Sequence, residues 1–168
     1  MRTLRLVLVG VFAVLASCGN GSSKDYKVGD TGPGGGIIVY VDKAGFGNSS
    51  GDDTSLGAVC LIETCNFLEM APKDLDGKLL WQEAMDAAEG FSTPSADDWV
   101  LPSKNAINVM YLVAKSDVSL FSSFFGEVYW SSSVRAGSTI SWYQNFDDGN
   151  QYYGGQDFPG YVRPVRAF

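Results

Sequence analysis

Short runs of β-branched and aromatic residues, separated by glycine-rich and polar segments, predict a series of short strands. Residues 37–41 read Ile-Ile-Val-Tyr-Val, which is typical of a buried strand. Residues 139–146 are spaced so that Ile140, Trp142 and Phe146 fall on one face. Further strands are predicted at residues 58–62, 67–70, 99–101, 128–131 and 161–168.

Two segments carry the three-and-four spacing of an amphipathic helix. Residues 78–89 form the first, and Gly90 is placed to end it. Residues 104–115 form the second, and Ser103 is suited to cap its start. The apolar faces consist of Leu80, Trp81, Ala84, Met85 and Ala88 in the first helix and of Ile107, Met110, Tyr111 and Ala114 in the second. These elements, without an internal repeat, predict one α+β domain over residues 26–168.

The composition excludes several classes of function. The chain of 168 residues has no histidine, which rules out Ser/His/Asp and Cys/His nucleophilic systems and His-ligated zinc. Nineteen acidic residues against 12 basic ones give a net charge of −7, which argues against nucleic acid as a partner. Twenty glycines and many aromatic residues instead favour a turn-rich domain with an aromatic interior.

The first 17 residues predict a signal peptide. Arg2 and Arg5 precede an apolar run over residues 6–16, which is too short to cross a bilayer as a helix. The sequence Leu-Ala-Ser-Cys at residues 15–18 resembles a bacterial lipoprotein box, which implies that the Cys18 thiol receives a diacylglycerol and becomes the N-terminus after cleavage. Residues 18–25 would then form the lipidated cysteine and a flexible tether. The alternative is an ordinary secretory signal in which Cys18 is incidental.

The lipoprotein resemblance also predicts a location. Acyl chains on Cys18 would hold the protein on a membrane without a spanning helix. Gly19 after the cysteine resembles lipoproteins that are forwarded to the outer membrane. We therefore expect a lipid-anchored protein of the bacterial cell envelope, at the outer membrane or cell surface. Cleavage after residue 17 would change the net charge from −7 to −9, because it removes two arginines and no acid.

Two further cysteines, Cys60 and Cys65, remain after that cleavage. In an oxidising compartment such a pair is expected to form a disulfide. A redox or metal-binding pair is the alternative, but the chain has no histidine and no second cysteine pair to complete such a site.

Two other segments invite a chemical interpretation. The glycine-rich residues 29–36 lead into a strand and have neither spacing of a phosphate-binding loop, so we assign them to a turn. Ser131, Ser132 and Ser133 form a hydroxyl cluster, but neither a histidine nor a Ser-x-x-Lys lysine is present to serve as base. We expect these hydroxyls to bond to the backbone.

Five blocks in order resemble the Lcl C-terminal domain family, which is named for the C-terminal domain of a Legionella collagen-like adhesin. They are GDTGPGGGIIVYVD (29–42), LEMAPKDLDGKLLWQEA (68–84), WVLPSK (99–104), YWSSS (129–133) and YVRPVRAF (161–168). The resemblance implies a C-type-lectin-like variant with two helices, a small twisted and mostly antiparallel sheet, paired chain ends and long loops. It also implies adhesion to extracellular polysaccharides, including sulfated ones, without a shared catalytic centre.

The predicted ligand segment spans residues 142–158 and combines aromatic, amide and carboxylate side chains. Aromatic faces stack on sugar C–H surfaces, and the polar groups bond to hydroxyls, so we expect a non-enzymatic glycan-binding module. The same segment suits a β-hairpin with an acidic turn at Asp148 and Gly149, and both interpretations stay open. Candidate ligand residues are Trp142, Tyr143, Gln144, Asn145, Asp147, Asp148, Asn150, Tyr152, Tyr153 and Arg163. The alternative role for Arg163 is ion pairing with one of the surplus acids.

Calcium is the one cofactor that the sequence suggests. Asp147, Asp148, Asn150 and Asp157 offer the oxygen ligands that Ca²⁺ prefers.

Two other functions compete with glycan binding. One is a structural or protein-binding component of an envelope or appendage complex, and the other is an enzyme related to formylglycine-generating enzymes, which depend on active-site cysteine and metal chemistry.

Overall fold

A computed structural model describes residues 24–47, 53–121 and 124–168. The predicted signal peptide, Cys18 and residues 19–23 of the predicted tether lie outside the described residues. The strands are β1 (Ile37–Phe46), β2 (Cys65–Met70), β3 (Val128–Val134), β4 (Ile140–Asn145), β5 (Gln151–Gly155) and β6 (Val165–Ala167). The helices are α1 (Trp81–Glu89), α2 (Lys104–Ser116) and the single turn α3 (Val118–Phe121).

The strands form two three-stranded antiparallel sheets, ordered β1-β2-β6 and β3-β4-β5. This arrangement confirms the predicted α+β class, with two small sheets in place of one. The expectation that the two chain ends pair as neighbouring strands is wrong, because β2 lies between β1 and β6. Glu69 of β2 is paired with Ile38 on one side and with Arg166 on the other. The C-type-lectin-like label stays a prediction.

Residues 58–62 do not form the predicted strand. The chain makes a short 3₁₀ helix, Leu56–Val59, and then enters a loop closed by the disulfide between Cys60 and Cys65. Four residues between the cysteines turn the chain back into β2, so an extended segment does not fit there.

Residues 99–101 also fall short of a strand. Val100 makes one isolated bridge to Val165, with backbone hydrogen bonds of 2.8 and 2.9 Å. Pro102 follows directly and has no N–H with which to continue the ladder.

The C-terminal segment serves both sheets instead of forming one long strand over residues 161–168. Tyr161 donates its N–H to the Val128 carbonyl at 2.8 Å, which ties it to the second sheet. Only after Pro164 does β6 begin and pair with β2 in the first sheet. This segment therefore links the two sheets.

Both predicted helices are present. α1 begins three residues later than predicted, because Leu79 and Gly160 exchange two backbone hydrogen bonds of 2.9 Å that keep the chain extended there. α2 starts after Ser103, whose Oγ accepts the N–H of Ala106 at 3.2 Å, as predicted. In the described ranges, none of the helices has the length and apolar character needed to cross a membrane.

β3 contributes to two hydrophobic clusters. Tyr129 packs into the larger cluster with α2, and the next residue, Trp130, packs into the smaller cluster with α1. The ring N–H groups of Trp81, Trp99 and Trp130 donate to backbone carbonyls at 2.8, 3.3 and 3.0 Å. Trp99 and Trp130 are buried, and Trp81 packs against the smaller cluster, so these three tryptophans serve the packing of the fold.

The glycine-rich segment before β1 wraps around the buried carboxylate of Glu69. The N–H groups of Gly34 and Gly36 donate to it at 3.1 and 2.6 Å, and Arg166 donates from Nη1 at 3.1 Å. A Cβ on Gly36 would lie 2.1 Å from the carbonyl oxygen of Met70, so the close approach of the two backbones requires glycine. The segment leads into a strand, as predicted, and its N–H groups serve the fold.

Candidate recognition surface

The predicted ligand segment contains a β-hairpin whose second strand, β5, is the edge of the second sheet. Trp142 is paired with Tyr153, and Tyr143 with Tyr152. The turn between the strands contains Gly149 at a φ of +78°, a backbone conformation that favours glycine. The hairpin interpretation of this segment is confirmed.

On one face of the hairpin, two aromatic rings lie beside two cations. The rings of Trp142 and Tyr153 meet edge to face, with their centroids 5.0 Å apart. Lys104 Nζ lies 4.0 Å from the Trp142 ring centroid, and the guanidinium carbon of Arg135 lies 4.7 Å from the Tyr153 ring centroid. Both distances fall within the range of cation–π attraction. We call Lys104, Arg135, Trp142 and Tyr153 the cation–aromatic cluster.

Hydrogen bonds to the backbone hold this cluster in place. Gln151 Nε2 donates to the Lys104 carbonyl at 2.6 Å, which fixes β5 to the start of α2. Ser133 Oγ accepts the Lys104 N–H at 2.9 Å, and Ser131 Oγ donates to the Trp142 carbonyl at 2.8 Å. These two serines therefore bond to the backbone, as predicted.

Sequence reasoning misses both cations of the cluster. Lys104 follows the cap of α2 and Arg135 follows β3, so neither lies within the hairpin segment. Arg135 reaches the hairpin because its N–H donates to the Ile140 carbonyl at 2.9 Å. The sequence does contain a weak signal, since Arg135 is the one basic residue between Lys115 and Arg163 and stands close to an aromatic-rich segment.

The opposite face of the hairpin packs partly against the core. Tyr143 packs against Trp130 and Phe158, with ring centroids 5.9 and 5.1 Å apart. Tyr152 is 41 % exposed, and its hydroxyl donates to Asp148 Oδ2 at 2.8 Å. Of these two tyrosines, Tyr152 is therefore the one that a ligand can reach more easily.

The acidic turn uses its own side chains to hold its shape. Asn145 Oδ1 accepts the Asp147 N–H, and Asp148 Oδ1 accepts the Asn150 N–H, both at 2.8 Å. The Asn150 N–H and the Tyr152 hydroxyl hold the pKa of Asp148 below its ordinary value. Asp147, Asp148 and Asn150 are exposed, so their polar groups are accessible at the turn, where Asp148 contacts Tyr152.

Two of the predicted ligand residues lie inside the protein. Gln144 is fully buried and donates from Nε2 to the Gly149 carbonyl at 2.8 Å. Arg163 is 1 % exposed, and its Nε donates to Asp74 Oδ1 at 2.5 Å. The structure corrects the prediction for both residues, because neither side chain reaches the surface. The alternative role for Arg163, an ion pair with an acid, is confirmed.

The sequence profile of the Lcl C-terminal domain matches residues 56–166, which is about two thirds of the chain. This chain belongs to the Lcl C-terminal domain family. The family is associated with cell-surface adhesins and is not a known enzyme family. No curated protein matches the chain.

The region that matches the Lcl domain begins after β1, yet β1 is part of the same sheet. Ile37 is paired with Met70 of β2, and Gly36 donates to Glu69 of that strand. In the first sheet, β1 thus precedes the matched residues, β2 lies within them and β6 lies at their end.

Cys60 and Cys65 of this Lcl domain form the predicted disulfide, with their Cα atoms 5.9 Å apart. Both cysteines lie at the base of one loop and are buried, with exposed fractions of 9 % and 0 %. The bond engages both sulfur atoms, so neither cysteine offers a free thiol of the kind that a formylglycine-generating enzyme needs.

The Lcl domain does not bring the four predicted calcium ligands together. Asp147, Asp148 and Asn150 lie at the turn of the hairpin, whereas Asp157 follows the far end of β5. A strand of this length separates the two ends by roughly 15 Å, so Asp157 cannot share an ion with the others. Among the described residues, no group of three or more acidic or cysteine side chains is placed to hold a metal ion.

Proposed function

We propose that this chain is a membrane-anchored, non-enzymatic recognition module at the bacterial cell surface that binds glycan through the cation–aromatic cluster. The observation that carries the proposal is the pairing of Trp142 and Tyr153 on an edge hairpin, each ring beside a cation. Membership of an adhesin-associated family supports it.

The chemistry of the cluster suits a sugar. Tyr153 is 48 % exposed and Trp142 is partly exposed, so both rings can offer apolar surface to the C–H face of a pyranose. The exposed Asp147 and Asn150 at the adjoining turn can bond to sugar hydroxyls. Binding sites of this kind combine apolar rings with a few placed polar groups.

The two cations favour an acidic glycan among the possible sugars. The chain has a net charge of −7, so a polyanion needs a local concentration of basic groups to bind. Lys104 and Arg135 provide such a concentration on one face of the hairpin. The Lys104 ammonium sits on a flexible stem, so it can turn from the Trp142 ring towards a sulfate or carboxylate of the ligand.

The anchor in this proposal is a diacylglycerol on Cys18. The apolar segment before Cys18 and the small residues next to it support this assignment. The mass of the N-terminal peptide of the protein isolated from membranes tests it, together with incorporation of labelled palmitate. An unmodified Cys18 would contradict the membrane-anchored part of the proposal and leave glycan binding to be judged by its own experiment.

A glycan array with the full chain tests recognition. Trp142→Ala and Tyr153→Ala are expected to abolish most of the signal on the bound glycans. Phe125→Ala is the matched control, because Phe125 is an exposed aromatic residue, at 53 %, that stacks on Tyr161 and is not part of the cation–aromatic cluster. Loss of binding in the control alone would move the site from the hairpin to that stack. A glycan that the purified chain chemically transforms would contradict the non-enzymatic assignment.

A protein partner is the second candidate, and the stack of Phe125 on Tyr161 favours it. The two ring centroids are 4.5 Å apart with an interplanar angle of 13°, and exposed aromatic anchors of this kind are frequent in protein interfaces. A crosslinking pull-down on the same chain distinguishes the two candidates. Specific protein partners together with an empty glycan array would replace the glycan proposal with an envelope-complex role.

The proposal assigns no cofactor to the module. Calorimetry with Ca²⁺ on the purified chain checks this point, and glycan binding that requires Ca²⁺ would revise it.

A further inference from the structure

The loop closed by the disulfide displays two adjacent aliphatic side chains. Leu61 and Ile62 are each 62 % exposed, the highest values among the exposed large hydrophobic side chains of the described residues. Cys60 and Cys65 attach both ends of the loop to the core, so the loop has a fixed base. Exposed apolar side chains at a fixed position favour contact with an apolar partner, because burial would remove their surface from water.

The chain enters the domain beside the base of this loop. Lys24, Asp25, Lys43, Asn66 and Phe67 together line a shallow cavity of about 360 Å³. Lys43 Nζ lies 3.4 Å from Asp25 Oδ1, which ties the entering segment to β1. Asn66 directly follows Cys65, so the entry point and the loop share one end of the first sheet.

The distance from this entry point to the proposed anchor is limited by covalent geometry. Six residues lead from Cys18 to Lys24. At no more than about 3.6 Å per residue, they span at most about 22 Å whatever their conformation. An acylated Cys18 would therefore keep this end of the domain, and with it the disulfide loop, close to the bilayer.

We propose that Leu61 and Ile62 insert into the surface of the membrane that carries the anchor, and so hold the domain in one orientation. This inference rests on the proposed lipidation of Cys18. Two aliphatic side chains bind a bilayer weakly by themselves, but an anchor raises their effective concentration at its surface. Lys24 and Lys43 lie at the same end of the sheet, and Lys43 has an 81 % exposed side chain that can contact anionic headgroups.

Tryptophan quenching by lipid tests the insertion. The full chain is purified from membranes, its N-terminal mass is measured, and it is reconstituted in vesicles of phosphatidylcholine and phosphatidylglycerol with or without brominated phosphatidylcholine. The brominated lipid is expected to quench a larger fraction of the tryptophan fluorescence of Ile62→Trp than of the wild type. The wild type is the baseline, because its fluorescence comes from the four native tryptophans alone. Tyr152→Trp is the matched control, because Tyr152 is 41 % exposed at the edge of the other sheet. Leu61→Trp provides a second reporter in the same loop.

The outcomes separate this inference from the proposal on which it rests. A diacylglycerol on Cys18 with extra quenching at both loop positions, but not at the control, supports insertion. The same lipid with no extra quenching at either loop position overturns insertion and leaves the anchor in place. An unmodified Cys18 overturns the anchor, and membrane docking of the loop is then rejected with it.

Discussion

Gly36 donates its backbone N–H to Glu69 Oε1 over 2.6 Å, although the two residues are 33 positions apart and Glu69 is fully buried. A buried carboxylate is stable only when hydrogen bonds and charges compensate for its lost hydration. Gly34 and Arg166 supply the other contacts. The glycine-rich segment is therefore a structural partner of β2, and its small residues are required by this contact.

Gly36→Ala is expected to destabilise the protein by about 3 kcal/mol, because the new Cβ would lie 2.1 Å from the Met70 carbonyl oxygen. Urea unfolding of the purified variant measures the loss. Gly126→Ala is the control, since the nearest atom to its new Cβ would be Oδ1 of Asp147 at 3.7 Å, which is an ordinary van der Waals contact. This control is expected to change the free energy of unfolding by less than about 0.5 kcal/mol. Equal unfolding midpoints for the two variants would contradict the steric explanation.

The bidentate contact between Arg166 and Asp98 predicts a pH dependence of stability. Arg166 donates to both Asp98 oxygens, at 2.6 and 2.9 Å, and holds the pKa of Asp98 below its ordinary value of 3.8. A carboxylate with a lowered pKa stabilises the fold above its unfolded pKa, and this contribution is lost as the pH falls through the folded value. Asp98→Asn is therefore expected to reduce stability at neutral pH and to differ less from the wild type below pH 3.8.

Urea unfolding across this pH range tests the dependence on Asp98. Asp97→Asn serves as the control, because Asp97 is an exposed acid directly beside Asp98. A difference between Asp98→Asn and the wild type that stays constant from neutral to acidic pH would mean that the charge of Asp98 is not what stabilises the fold.

The helices could be predicted because their determinants are local. Ser103 caps α2 from one residue before it, and the buried Ile107, Met110 and Ala114 repeat at helical spacing within it. The strands predicted over residues 58–62 and 99–101 do not form, and the reasons are local too, since a disulfide loop and a proline override the β-branched pattern. Those interruptions outweigh the propensity of the residues around them.

The site could be predicted only in part because its members come from separate elements. The aromatic residues of the hairpin all lie in one segment and are visible in the sequence. Lys104 and Arg135 join them only through the pairing of β3 with β4 and through the Gln151 hydrogen bond to α2. Gln144 looks like a ligand residue by type, but it is paired with the buried Tyr129 of β3 and is itself fully buried.

The buried ion pair between Arg163 and Asp74 predicts strong coupling of two side chains. Their exposed fractions are 1 % and 8 %, and Asp74 also accepts the Tyr129 hydroxyl at 2.7 Å. Removal of one charge leaves the other uncompensated in the interior, so Asp74→Asn and Arg163→Met are each expected to lower the free energy of unfolding by about 3 kcal/mol. The double variant is expected to lose clearly less than the sum, because it leaves no lone buried charge.

A double-mutant cycle in urea measures this coupling. Asp76→Asn is the control for Asp74→Asn, because Asp76 is an exposed acid two residues further along. Additive losses in the double variant would show that the two side chains stabilise the fold independently and would contradict the ion-pair explanation.

The cations of the cluster predict a salt dependence of ligand binding. Lys104→Gln and Arg135→Gln are each expected to weaken binding of an acidic glycan by about 1 kcal/mol, which is roughly fivefold in Kd. Both variants are expected to show a smaller loss of affinity with rising salt than the wild type, because fewer exposed charges remain to be screened. Lys104→Arg is expected to retain most of the affinity, since it keeps the charge beside Trp142.

Calorimetric titration of the acidic glycan at several salt concentrations makes this measurement. Lys115→Gln is the matched control, because Lys115 lies at the other end of α2 and bonds to Tyr111 there. If all three glutamine variants bind with the same Kd as the wild type, the cations play no part in recognition, and the exposed rings of Trp142 and Tyr153 must then account for binding without charge. If Lys115→Gln weakens binding as much as the other two, the effect comes from net charge, since among the described residues only the two cluster cations lie against the hairpin rings.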